Sequence, residues 1–186
     1  MPRMESAMLA LGTHAPGFSL PDVVTDKTVS LEDFRGKGPL VVMFICRHCP
    51  FVKHLERAIA NLGREYSSRP ISVVAICSND AEAYPEDAPA SLKQQARDLG
   101  FAFPYLFDGT QEVARAYNAT CTPDFFLFDS SMRLIYRGQF DGSRPGNGVA
   151  VTGDDLRRAM EAALAGQPVV SEQKPSVGCN IKWRGH

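Results

Sequence analysis

Two nearly unbroken apolar runs organise the chain: Pro39-Leu40-Val41-Val42-Met43-Phe44-Ile45 and Ile71-Ser72-Val73-Val74-Ala75-Ile76-Cys77. Runs of this length without polar alternation predict strands covered by helices on both faces. Between them, Phe51 to Tyr66 sets Leu55, Ile59 and Leu62 at helical spacing, which predicts an amphipathic helix. Further helices are expected over Ser91 to Leu99, stopped at Gly100, and over Glu112 to Tyr117. A last one spans Asp154 to Ala165, capped by Thr152 or Asp154 and stopped at Gly166. Thr28 to Leu31 and Phe103 to Asp108 read as short strands. Phe125 to Phe128 and Leu134 to Gly138 read as a hairpin across Asp129-Ser130-Ser131-Met132. Ser78 to Pro89 is a polar loop with two prolines and four acidic residues, long enough to be functional or mobile.

This order contains two β-α-β crossovers, so the expected fold class is α/β, a three-layer sandwich with a mixed central sheet and helices on both faces. A chain of 186 residues fits one domain. Residues 1–12 read as a flexible lead-in, 13–166 as the folded domain, and 167–186 as a tail without periodicity docked on it.

Where the first apolar run ends, the sequence turns to Cys46-Arg47-His48-Cys49. Two thiols at this spacing can close into a small disulfide ring and reopen. They sit where a strand gives way to a helix, whose N-terminus carries unpaired N–H groups and partial positive charge that favour thiolate. Arg47 and His48 add positive charge to the same turn. A four-ligand zinc site would need a second such pair, and the sequence has none. Redox chemistry is therefore the favoured reading, with no metal and no cofactor expected.

Composition narrows the partners. The chain has 20 basic and 21 acidic residues, a net charge of −1, so no global field recruits nucleic acid or an anionic membrane. The N-terminal apolar stretch Ala7-Met8-Leu9-Ala10-Leu11 is shorter than the ~7–15 residues of a signal-peptide core. No run approaches the ~18 apolar residues of a membrane helix. Five cysteines at irregular spacing do not make a secreted disulfide framework, so a cytoplasmic location is expected.

Several segments in order resemble the thioredoxin superfamily and, within it, the peroxiredoxin-like branch described as alkyl hydroperoxide reductase / thiol-specific antioxidant or redoxin. They are Ala15-Pro16-Gly17-Phe18-Ser19-Leu20-Pro21-Asp22, Val29-Ser30-Leu31-Glu32-Asp33-Phe34-Arg35-Gly36-Lys37, Cys46-Arg47-His48-Cys49-Pro50, Phe103-Pro104-Tyr105-Leu106-Phe107-Asp108 and Thr122-Pro123-Asp124-Phe125-Phe126-Leu127-Phe128-Asp129. The resemblance implies a thioredoxin-like domain and a thiol-disulfide oxidoreductase. It also implies a cis Thr122-Pro123 bond facing the cysteines, with the Thr122 backbone free to pair with an extended substrate. In the dithiol reading Cys46 is the exposed nucleophile, Cys49 the partly buried resolving thiol, and His48 donates a hydrogen bond or charge to the Cys46 sulfur. Arg47 acts at long range or guides a partner. The partners implied are a disulfide-bearing protein or small thiol and a reducing thiol donor.

Two alternatives stay open. In a thiol-dependent peroxidase Cys49 would stand at the peroxidatic position of P-x-x-x-T-x-x-C, or Cys46 would serve. Val42 and Cys46 replace the proline and threonine of that motif, however, and Ile45 replaces the tryptophan usual in thioredoxins. A copper chaperone on the same fold would use soft thiolates for Cu(I). Among the remaining cysteines, Cys77 reads as core. Cys121 lies close enough to the site to be an accessory thiol but reads first as packing, and Cys179 as an accessory or resolving thiol or an anchor for the tail. Phe125, Phe126, Phe128 and Trp183 read as core or docking residues, and His14, His54 and His186 have no ligand-like spacing.

Overall fold

A computed structural model describes residues 3–185; residues 1, 2 and 186 lie outside it, and with them the very ends of the expected lead-in and tail. In chain order the elements are β1 (Arg3–Glu5), β2 (Ser19–Pro21), β3 (Thr28–Ser30), β4 (Leu40–Phe44), α1 (Pro50–Tyr66), β5 (Ser72–Cys77) and α2 (Pro89–Leu99). There follow β6 (Tyr105–Phe107), α3 (Glu112–Ala116), β7 (Cys121–Thr122), β8 (Asp124–Phe128), β9 (Leu134–Gly138), α4 (Asp154–Leu164) and β10 (Val177–Asn180).

The central sheet runs β6-β5-β4-β8-β9, with β4 parallel to β5 and antiparallel to β8. All five residues of β4 are fully buried, which is why its sequence shows no polar alternation. Its side chains still alternate between faces. Val41, Met43 and Ile45 join the core with Val52, Leu55, Ile59 and Leu62 of α1, Leu92 of α2, and Leu156 and Met160 of α4. Leu40, Val42 and Phe44 face the other core, with Val113 and Ala114 of α3 and Phe18, Leu20, Leu31 and Phe34 from the N-terminal segment. The chain thus has the mixed α/β thioredoxin-like fold, with layers on both faces of the sheet. Gly100 ends α2 at φ +65°, a conformation that favours glycine. Among the described residues no helix is long and apolar enough to cross a membrane.

Three expectations need correction. The lead-in is not loose throughout: β1 pairs antiparallel with β10, which in turn pairs with β7, giving a second, three-stranded sheet β1-β10-β7. Strands of two to four residues carry no readable periodicity; long-range pairing supports them. The N-cap position of α4 is Gly153 at φ +71°, not Thr152 or Asp154, although Thr152 Oγ1 accepts the Asp154 N–H at 3.3 Å. Just before the helix, Asp141 Oδ2 takes the amides of Thr152 (2.8 Å) and Gly153 (2.7 Å). Phe125, Phe126 and Phe128 are buried as expected, but Trp183 is 38% exposed, with the Arg115 guanidinium 4.9 Å from its ring centre.

Candidate active site

Strand β4 ends at Phe44 and helix α1 starts at Pro50, and the intervening turn carries Cys46 and Cys49. Proline suits the first helical position because its missing N–H would have had no partner there. Cys49 is the N-cap residue. Both sulfurs are free thiols, and both cysteines are fully buried. The Thr122-Pro123 peptide is cis, and Thr122 touches both thiols. Its Oγ1 lies 3.4 Å from Cys46 Sγ, and its carbonyl accepts the Cys49 S–H at 3.3 Å.

The turn is organised by Asp87, a residue the sequence did not single out. It is fully buried, in a short 3-10 turn (Pro85–Asp87) within the polar loop after β5. Its Oδ1 accepts the backbone N–H groups of Arg47 (2.8 Å) and His48 (3.1 Å). Its Oδ2 accepts from Asn79 Nδ2 (2.8 Å) and bonds His48 Nδ1. His48 stacks on Tyr84 with ring centres 5.1 Å apart, and its buried Nε2 has no partner among the described residues. Nothing in four acidic residues of one polar loop marks Asp87 as the buried one.

Cys46, His48 and Asp87 each offer an atom within 4.8 Å of the others, the spacing of a metal trio. Four donors already fill the Asp87 carboxylate, so this trio reads as a hydrogen-bond hub. Arg47 is tied down beside it: its Nη1 donates to the Ser91 carbonyl (2.9 Å) and Oγ (2.7 Å).

The surroundings of the two thiols differ. Burial, the neighbouring Cys49 and the negative charge of Asp87 push the Cys46 thiol well above its usual range. Cys49 is held low by the S–H groups of Cys46 and Cys179 and by the N–H groups of Val52 and Cys179, against the cost of its burial. The Thr122 carbonyl opposes ionisation of Cys49, but it is one acceptor against several donors and a helix N-terminus. The expectation of an exposed Cys46 is corrected: Cys46 is as fully buried as Cys49. His48 bonds Asp87, not the Cys46 sulfur, because the carboxylate is the stronger acceptor.

The Thr122 edge is not free either. In the β10–β7 pair Cys179 lies opposite Thr122 and Asn180 opposite Cys121, so the chain's own tail fills the place expected for a substrate strand. Gly178 permits this approach, since a Cβ there would stand 1.9 Å from the Thr122 oxygen. Cys77 is core, as read, and burial pushes its thiol up. Cys121 is also buried and its thiol raised, by burial and by Asp124. Asp124, next after Pro123, is nearly fully buried; burial holds its carboxyl far above the usual aspartate range, and its Oδ2 is unpartnered among the described residues.

A thioredoxin-like fold with paired thiols at a strand-to-helix turn, facing a cis-proline segment, defines a redoxin-type, thiol-disulfide oxidoreductase-like protein. Residues 11–137 match the AhpC/TSA family, and the chain belongs to that family. A solved structure of an uncharacterized conserved protein from Geobacillus kaustophilus is 52% identical, covering 100% of this chain and 98% of that one, with a TM-score of 0.98. A hypothetical protein from Sinorhizobium meliloti 1021 is 47% identical, covering 98% and 99% of the two chains, with a TM-score of 0.96. A distant relative, the thiol-disulfide oxidoreductase ResA of Geobacillus kaustophilus, is 24% identical over 163 residues, 85% of this chain and 80% of the relative.

Proposed function

We propose that the protein is a thiol-disulfide oxidoreductase whose redox pair is Cys46 and Cys49, with Cys49 as nucleophile. The observation that supports this most is the contact of both sulfurs with Thr122 at the start of α1. In the reductive direction the Cys49 thiolate attacks a substrate disulfide, forming a mixed disulfide and expelling one substrate thiolate. Cys46 then attacks the Cys49 sulfur, releasing the second substrate thiol and closing the Cys46–Cys49 disulfide. Cys46 must lose its proton for that step. A ring nitrogen of His48 is within 4.8 Å of its sulfur, and Asp87 fixes the His48 ring with Nδ1 engaged. His48 thus serves as proton acceptor and Asp87 positions it.

An occupied Thr122 edge and two buried sulfurs favour a small disulfide over an extended protein chain as substrate, reached when a covering segment moves aside. A small thiol donor reverses the cycle. No metal, cofactor, nucleic acid or membrane enters this scheme, and it operates in a reducing, cytoplasmic setting.

The same thiolate also favours a second reading, a peroxidase in which peroxide oxidises Cys49 to sulfenic acid and Cys46 resolves it. One sample assayed for small-disulfide reduction and for peroxide-dependent thiol consumption separates the two. Dithiol exchange predicts fast turnover in the first assay and slow turnover in the second. The converse result assigns the chain to the peroxidases.

A further inference from the structure

The tail strand brings a third thiol to the pair. Residues directly opposite on paired strands share a face, and neighbours along a strand point to opposite faces. Cys179 is opposite Thr122, the residue that touches Cys46 and Cys49, while Cys121 and Asn180 face the other way. Cys46, Cys49 and Cys179 accordingly lie in one buried core, where burial and the neighbouring Cys49 push the Cys179 thiol up to about 12. The placement is built in on both sides. Ser176 Oγ donates to the Pro123 carbonyl at 2.6 Å, and Ile181 N donates to the Thr120 carbonyl at 3.0 Å. Lys182 N donates to Asn79 Oδ1 at 2.9 Å, which ties the tail to the residue that also holds Asp87.

We propose that Cys179 is a third redox cysteine, which takes the Cys49 sulfur from Cys46 or from a bound substrate. The proposal rests on Cys49 being the reactive thiolate. The Cys179 thiolate attacks the Cys49 sulfur of the Cys46–Cys49 disulfide; the Cys49–Cys179 bond forms and the old bond breaks. The electron pair leaves with Cys46, which takes up the proton that Cys179 gave away. No net oxidation occurs, so no other reactant is needed. The exchange moves the disulfide from inside the helix turn to a link between α1 and the tail. A small thiol donor can then attack it at the tail.

The test uses full-length Cys46→Ser with oxidised glutathione as the small disulfide, followed by peptide mapping. Cys49 attacks glutathione disulfide and releases one glutathione; Cys179 displaces the second. The expected product is a Cys49–Cys179 disulfide with two glutathione thiols released. In Cys46→Ser/Cys179→Ser one glutathione should stay on Cys49, with a lifetime longer by at least about tenfold. Stable glutathione on Cys49 of Cys46→Ser, with Cys179 still open to alkylation, overturns the proposal. Wild-type protein in graded glutathione buffers gives a second readout, independent of the variants' folding, in which a fraction of Cys49–Cys179 linkage is expected and its absence counts against the proposal. Cys179→Ser separates the two claims. If it closes Cys46–Cys49 normally while Cys46→Ser fails to link Cys49 to Cys179, the dithiol reading stands and only the third thiol falls. If Cys46–Cys49 never forms but Cys49–Cys179 does, the dithiol reading falls and the third thiol stands.

Discussion

Replacing Gly178 by alanine tests whether the tail is the cover of the thiols. The added Cβ would lie 1.9 Å from the Thr122 oxygen and 2.6 Å from its carbonyl carbon, both backbone atoms that cannot swing away. Relief to an ordinary contact of 3.4 Å needs a displacement of about 1.5 Å. That separates the Cys179–Thr122 and Asn180–Cys121 pairs of β10 and β7. Two backbone hydrogen bonds at about 1 kcal/mol each, within the usual 1–3 kcal/mol of an overpacked site, put the cost near 2–3 kcal/mol. At about 1.4 kcal/mol per factor of ten, the tail-open population rises roughly 30- to 100-fold. When closing is faster than labelling, the alkylation rate follows that population. N-ethylmaleimide should therefore label Cys49 of Gly178→Ala some 30- to 100-fold faster than in wild type. Cys77, sealed in β5, reports global unfolding and should change far less. A Cys49 rate within about twofold of wild type, with the protein folded, would refute the tail as cover.

Two further outcomes follow from buried acids. Asp87→Asn keeps an acceptor for the Arg47 and His48 amides but turns an N–H toward His48 Nδ1 and Asn79 Nδ2. It should destabilise by about 2–4 kcal/mol, a melting drop of roughly 5–15 °C, and removing a charge that raises the Cys46 thiol should shift resolution to lower pH. An unchanged melting point and pH profile would remove Asp87 from the site. Asp124 behaves oppositely: its folded-state carboxyl titrates above the unfolded one, so its stabilising contribution is complete below the ordinary aspartate pKa and declines as pH rises toward the folded value. Asp124→Asn should accordingly gain on wild type by up to about 1.4 kcal/mol per pH unit across that window, and parallel stability curves would contradict the assignment.

The central sheet and its helices were legible because β4, β5 and α1 carry strong patterns: unbroken apolar runs and an i, i+3, i+4 stripe. The Cys46/Cys49 turn was legible for the same reason, since a buried strand has to end before a helix begins. Asp87 was not, because its role comes from a loop folding back onto the turn 39 residues away from His48. The tail was not, because β10 gains its structure from pairing with β1 and β7 and has no period of its own. The surroundings of the two thiols were also hidden. Besides burial and the thiols' effect on each other, Asp87 raises the Cys46 thiol and Cys179 lowers the Cys49 thiol, and neither residue is local in sequence.

The assignment of Cys49 as nucleophile is tested most directly by trapping the mixed disulfide. Cys46→Ser/Cys179→Ser and Cys49→Ser/Cys179→Ser are each exposed to an isotope-labelled small disulfide, and the labelled residue is identified by mass spectrometry. The expected result is stoichiometric label on Cys49 in the first protein and little on Cys46 in the second. Rapid label on Cys46 in the second, with Cys49 of the first left as free thiol, would contradict the account and restore Cys46 as the attacking sulfur.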